Sequence, residues 1–200
     1  MPGRLTQAEA KAYEHPGHVI VASCGDSGFT AAAFPANLAM VTSAGGTQLA
    51  KAANARGWTE RVWKASGSGC SAYVRKPAWQ ADTHCPGRTV ADVAVLAWDV
   101  SLYDSSIGRG LGGPWLTVGG TSAAAPLIAG VYALAGNAST VRPGYEYAHP
   151  GSLFDVTTGS NSGQGATCGH DYLCGPSAAT TPRPAWALPT APAPSDRRTS

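Results

Sequence analysis

Short apolar runs separated by Gly- and Pro-rich stretches organise this chain. Residues 6–14 carry helix formers, and His15-Pro16-Gly17 stops them, because Pro lacks an N–H and Gly turns the backbone. His18 to Ser23 (HVIVAS) is apolar and β-rich, which predicts a buried parallel strand. Ala39 to Ser43 predicts a second strand, closed by Gly45-Gly46, and Thr89 to Ala97 (TVADVAVLA) a third. The Gly-, Ser- and Trp-rich stretch between the second and third suits surface loops. WLTVGG after Pro114 predicts a strand ending in two glycines. TSAAAPLIAGVYALAGN then predicts a helix with so little polar surface that it belongs in the core, with Ser122 near its N-terminus.

Composition places these elements in a globular domain. The 200 residues are 44% hydrophobic and 13% charged, enough for one sizeable core. The net charge of +2 is scattered, which argues against a nucleic-acid partner. No apolar run reaches the roughly 20 residues that cross a bilayer, and the polar start shows no secretory signal, so neither membrane nor export is written in the chain itself. The five cysteines lack close C-x-x-C spacing, which disfavours structural zinc. Cys70 with Cys85 and Cys168 with Cys174 are expected to form two local disulfides, leaving Cys24 free, a pattern suited to an oxidising compartment. From about Gly175 the character shifts to Pro, Ala and Thr, and residues 175–200 read as a disordered tail beside a domain over residues 1–174.

The chemistry concentrates at two turns. Gly119-Gly120-Thr121-Ser122-Ala123-Ala124-Ala125-Pro126 joins a strand to a helix, where glycines admit a substrate and helix N–H groups favour negative charge. Taken alone, Ser122 also suits a plain helix cap. Gly25-Asp26-Ser27-Gly28 follows a strand directly, where Asp26 alone would suit an Asx turn. Making Ser27 the nucleophile of a chymotrypsin-like site fails on chain order, because only 26 residues precede it.

The G-T-S-A-A-A-P-L-I-A-G string resembles the nucleophile motif shared by subtilisins and sedolisins. Leu127 after Pro126, where subtilisins usually place His, and the Asp of G-D-S-G point to the sedolisins, the serine-carboxyl peptidases. Tyr13 to Gly17, Phe34-Pro35-Ala36, Val41 to Thr47, Thr89 to Val93 and Tyr103-Asp104-Ser105 match further family segments in order, over about residues 10–174. The resemblance implies an α/β, subtilisin-like fold with a mainly parallel sheet flanked by helices, here an incomplete C-terminal half of the catalytic domain. It implies endopeptidase activity in acid on peptides or unfolded proteins, by a monomer whose intact parent is extracellular. Ser122 would be the nucleophile, and Asp26, kept protonated by burial, would donate to the oxyanion.

Two family features are incomplete. The general base and its partner, a Glu and an Asp at i and i+4, should lie upstream of G-D-S-G; only Glu9 and Glu14 are there, followed four residues on by Tyr13 and His18. The fragment is therefore expected to be inactive, the alternative being a non-catalytic remnant or peptide-binding module. The family's calcium site would draw on Asp155 and the Val156 carbonyl within Asp155-Val156-Thr157-Thr158-Gly159, but the second ligand segment is missing. Back-translating Ala178 to Pro192 with GC-rich codons and starting two bases later reads G-Y-D-A-P-T-G-L-G-T-P-N-G-T, which resembles that segment. The tail is thus expected to be a frameshifted version of it.

Overall fold

The computed structural model describes residues 7–106, 113–163, 168, 171–175 and 187–189. The helix α1 covers Gln7–Lys11, and Gly17, in the left-handed region at φ 83°, turns the chain into β1, Ile20–Ser23. β2 spans Val41–Lys51 and pairs parallel with β1. Its far half pairs antiparallel with β3, Trp58–Val62, and Ala44 to Thr47 pair parallel with β6, Val93–Leu96. Three antiparallel ribbons complete the sheets: β4, Gly69–Arg75, with β5, Gly87–Val90; β7, Val100–Tyr103, with β8, Trp115–Val118; and β9, Leu153–Asp155, with β10, Ala187–Pro189. The expected parallel arrangement therefore holds for β1, β2 and β6, while antiparallel pairing prevails elsewhere and α2, Thr121–Ala135, is the one long helix among the described residues.

Local physics explains where elements depart from the pattern. Gly45-Gly46 does not end β2; a Cβ on Gly46 would lie 2.5 Å from that of Ala97 and 3.1 Å from the Trp63 ring, so glycine lets β2 run beneath them. The stretch expected to be surface loop contributes β3, β4 and the buried Trp63, Ala65, Ser66 and Ser68. The run from Thr89 to Ala97 breaks into β5 and β6, and Asp92 between them turns inward to Arg88.

The helix α2 lies on β1, β2 and β6. Ala124 and Ile128 join Ala44, Trp63, Ala65, Val93 and Ala97 in the main core. The expectation of a fully buried helix is not met: one stripe is buried, whereas Leu127, Val131 and Leu134 are exposed, Leu134 at 90%. Val62, Ala94 and Val156 form a smaller cluster. Both expected disulfides are present, Cys70–Cys85 and Cys168–Cys174, with Cα separations of 5.8 and 5.5 Å that suit bridging. Cys24 is free and buried; burial pushes its thiol up to about 12, and its Sγ donates to the Gly67 carbonyl at 2.9 Å. Apart from Gly175 and Ala187–Pro189, the expected tail lies outside the described residues.

The short helix α3, Tyr145–Ala148, brings Glu146 beneath α2, where it accepts hydrogen bonds from the Tyr132 hydroxyl and from Thr42 Oγ1 at 3.3 Å. Burial raises the Glu146 carboxyl above its ordinary range, although both hydroxyls oppose the shift. The folded state thus holds this proton more tightly than the unfolded chain does. The resulting stability is complete below the ordinary glutamate range and is lost as pH rises through the raised value. Glu146→Gln is expected to keep that stability at neutral pH, so thermal melts from about pH 4 to about pH 7.5 should show the parent falling relative to the variant. Parallel curves would contradict this.

Candidate active site

The two turns singled out by sequence meet at one end of α2. β1 delivers Gly25 and Asp26, β8 leads into Gly119-Gly120, and Thr121 opens the helix. The cap residue is Gly120 at φ 148°, without a side-chain cap, so Ser122 is not the helix cap. Asp26 fills that role from across the chain: its Oδ1 accepts from Thr121 N at 2.7 Å and from Thr121 Oγ1 at 2.8 Å. A carboxyl group there satisfies an otherwise unpaired helix N–H and sits at the favourable end of the helix dipole.

Thr121, fully buried, is the hinge of the site. Its hydroxyl accepts from Gly25 N at 3.1 Å, and its methyl packs over Gly46. With Oδ1 occupied twice, Oδ2 is the oxygen turned to Gly120, where a Cβ would approach it to 3.0 Å. Glycine is required here both for its φ and for this contact. In the sequence Thr121 is one letter of the motif; its role rests on contacts of its hydroxyl with Gly25 and Asp26 across the chain. Ser122 and Asp26 are both exposed. The expected burial of Asp26 is not met. Among the described residues Ser122 Oγ has no hydrogen-bond partner, so no base is joined to it.

Asp155 and Val156 lie away from this turn, at the end of β9. Asp155 is exposed and Val156 buried. Calcium takes about six to eight oxygens. The described residues contain no group of three or more His, Cys, Asp or Glu able to hold a metal. No described helix is long and apolar enough to cross a membrane.

The fold and the turn define a mixed α/β domain whose strand–Gly–helix turn, carrying Ser122, is held against an aspartate through Thr121. No family model matches the chain. It is 32% identical over 173 residues to kumamolisin of Bacillus sp. (strain MN-32), across 72% of this chain and 30% of that protein. It is 30% identical over 169 residues to sedolisin of Pseudomonas sp. (strain 101), across 71% of this chain and 28% of that protein. A solved structure of the Pseudomonas sedolisin, a serine-carboxyl proteinase complexed with two molecules of pseudo-iodotyrostatin, superposes with TM-score 0.65 at 26% identity, covering 78% of this chain and 51% of that one. Sphericase shares the fold at TM-score 0.55 and 17% identity, over 95% of this chain and 55% of its own. These matches support a sedolisin-family partial domain, and the chain spans about a third of the length of these curated relatives.

Proposed function

We propose that this chain is the nucleophile-bearing part of a serine-carboxyl endopeptidase that cleaves peptides or unfolded proteins in acid. The observation that carries the reading is the double hydrogen bond from Thr121 to Asp26 Oδ1, which fixes the carboxyl beside Ser122 and leaves Oδ2 to act. In this mechanism Ser122 Oγ attacks the peptide carbonyl carbon while its proton passes to a carboxylate base. The carbonyl electron pair moves to oxygen, where Asp26, in the acid form that this reading requires, donates a hydrogen bond from Oδ2. Collapse of the intermediate expels the amine with the proton held by the base, and water then releases the acyl group from Ser122. A carboxylate base suits acid, where histidine would already be charged.

The base is the piece this chain does not offer, since neither Glu9 nor Glu14 has an Asp four residues on. This chain should therefore not turn over substrate unaided. Calcium would bind through Asp155 and the Val156 carbonyl only when the alternate-frame segment completes the oxygen set. The two disulfides support an extracellular setting for the parent, and we take the working form to be a monomer. The test compares this chain with one restored by an upstream segment carrying Glu and Asp four apart and by the in-frame terminal segment. Turnover in acid, and a melting temperature raised by calcium, are expected of the restored chain alone. A restored chain that folds but binds peptides without cleaving them would favour a peptide-binding remnant.

A further inference from the structure

A groove lies beside the nucleophile turn, on the other side of Trp98. Strand side chains alternate between faces, so Gln48 points to the same side as Gly46, which lies beneath the Thr121 methyl. One such step is about 7 Å along the strand. A cavity of about 570 Å³ begins there, lined by Gln48, Leu49, Arg61, Trp98, Asp99 and Thr158, among others. Arg61 faces Gln48 across β2 and β3, and its Nε donates to Gln48 Oε1 at 3.1 Å.

Trp98 forms the wall nearest the turn. Its ring stacks on buried Trp63 at 5.8 Å and covers Gly119, where a Cβ would meet it at 2.4 Å. Gly119 stands three residues before Ser122, so their Cα atoms are at most about 11 Å apart, the span of about three residues of extended peptide. Even with Trp63 behind it, 48% of Trp98 is exposed. The next residue, Asp99, takes the left-handed conformation at φ 63° and turns the chain away, leaving the ring open.

We infer that this groove is a peptide subsite: Trp98 takes a bulky apolar or aromatic side chain, and Arg61 donates to a carbonyl or carboxylate of the same extended peptide. The inference rests on the peptidase reading for its occupant, because Trp98, which lines the groove, also covers Gly119 of the nucleophile turn. Large rigid aromatics backed by a second ring are the residue type that dominates such recognition. An aromatic guest would extend the Trp63–Trp98 stack by one ring.

The test uses the present chain, in which binding proceeds without turnover. The probe is a capped hexapeptide of alanines with one central phenylalanine, and its all-alanine counterpart, titrated by NMR or by tryptophan fluorescence. The phenylalanine peptide should bind at least about tenfold more tightly than its counterpart. Trp98→Ala should erase that difference, Trp98→Phe should keep most of it, and Tyr73→Ala, an exposed aromatic outside the groove, should leave it intact. The inference is overturned if Trp98→Ala, with an unchanged circular-dichroism spectrum, retains the preference, if the two peptides bind alike, or if neither binds up to about 10 mM. None of these outcomes touches the assignment of Ser122, which only hydrolysis by the restored chain decides.

Discussion

In the restored chain, Ser122→Ala is expected to lower kcat by about 10⁴-fold or more, and Asp26→Ala by about 10²- to 10³-fold. The two differ because they remove different things. Without the Ser122 hydroxyl no acyl-enzyme forms, and only the residual effect of binding and oxyanion stabilisation remains. Without Asp26 the covalent route survives but the developing negative charge loses its best-placed donor. Thr121 N–H and Oγ1 would also lose their acceptor, so Asp26→Asn is the cleaner comparison: its amide oxygen can still accept from Thr121 and its NH₂ can still donate. Steady-state kinetics on one peptide substrate, with circular dichroism to verify folding, checks the order. Equal activity of Ser122→Ala and its parent would remove Ser122 from the reaction.

Asp92→Ala is expected to destabilise the chain by about 3–5 kcal/mol, the cost of leaving a buried charge without its partner. Arg88 and Asp92 are 0% and 1% exposed and share two hydrogen bonds, one of them Nη1 to Oδ1 at 2.6 Å. Burial works against the Arg88 charge, yet Asp92 more than offsets it, holding the guanidinium above its ordinary range. Asp92 also accepts from Ser43 N at 2.7 Å and from the Tyr147 hydroxyl at 2.8 Å, while Arg88 donates to the Val41 carbonyl at 3.1 Å. The pair therefore ties the entry ends of β2 and β6 to α3. Urea unfolding gives the loss directly, and the double variant Arg88→Met with Asp92→Leu should recover much of it, because it leaves no stranded charge. A loss below about 1 kcal/mol for Asp92→Ala would show that water reaches Arg88.

What the sequence disclosed and what it hid follow from the range of the interactions involved. Local features were legible: the strand at β1, the start and end of α2, and the two short-loop disulfides all rest on neighbours in sequence. Features set by distant partners were not. Gly45-Gly46 reads as a break but serves close packing under Ala97 and Trp63. Thr89 to Ala97 reads as one strand because nothing in the run announces that Asp92 will turn inward, where Ser43 N and the Tyr147 hydroxyl, 49 and 55 residues away, also bond it. Serines and tryptophans between residues 58 and 68 read as loop, although Trp63 and Ser66 are buried; Ser66 Oγ accepts from Gly46 N at 2.8 Å. At the site, sequence nominated Ser122 and Asp26, and the fold brings their turns together through Thr121. The sequence could not foresee that both would lie open to solvent, or that Trp98 would cover Gly119.

The measurement that bears most directly on the account is hydrolysis of a denatured protein from about pH 3 to about pH 7 by the present chain, the restored chain and restored Ser122→Ala. The account predicts turnover by the restored chain alone, strongest in acid. Robust turnover by the present chain that survives Ser122→Ala would contradict it.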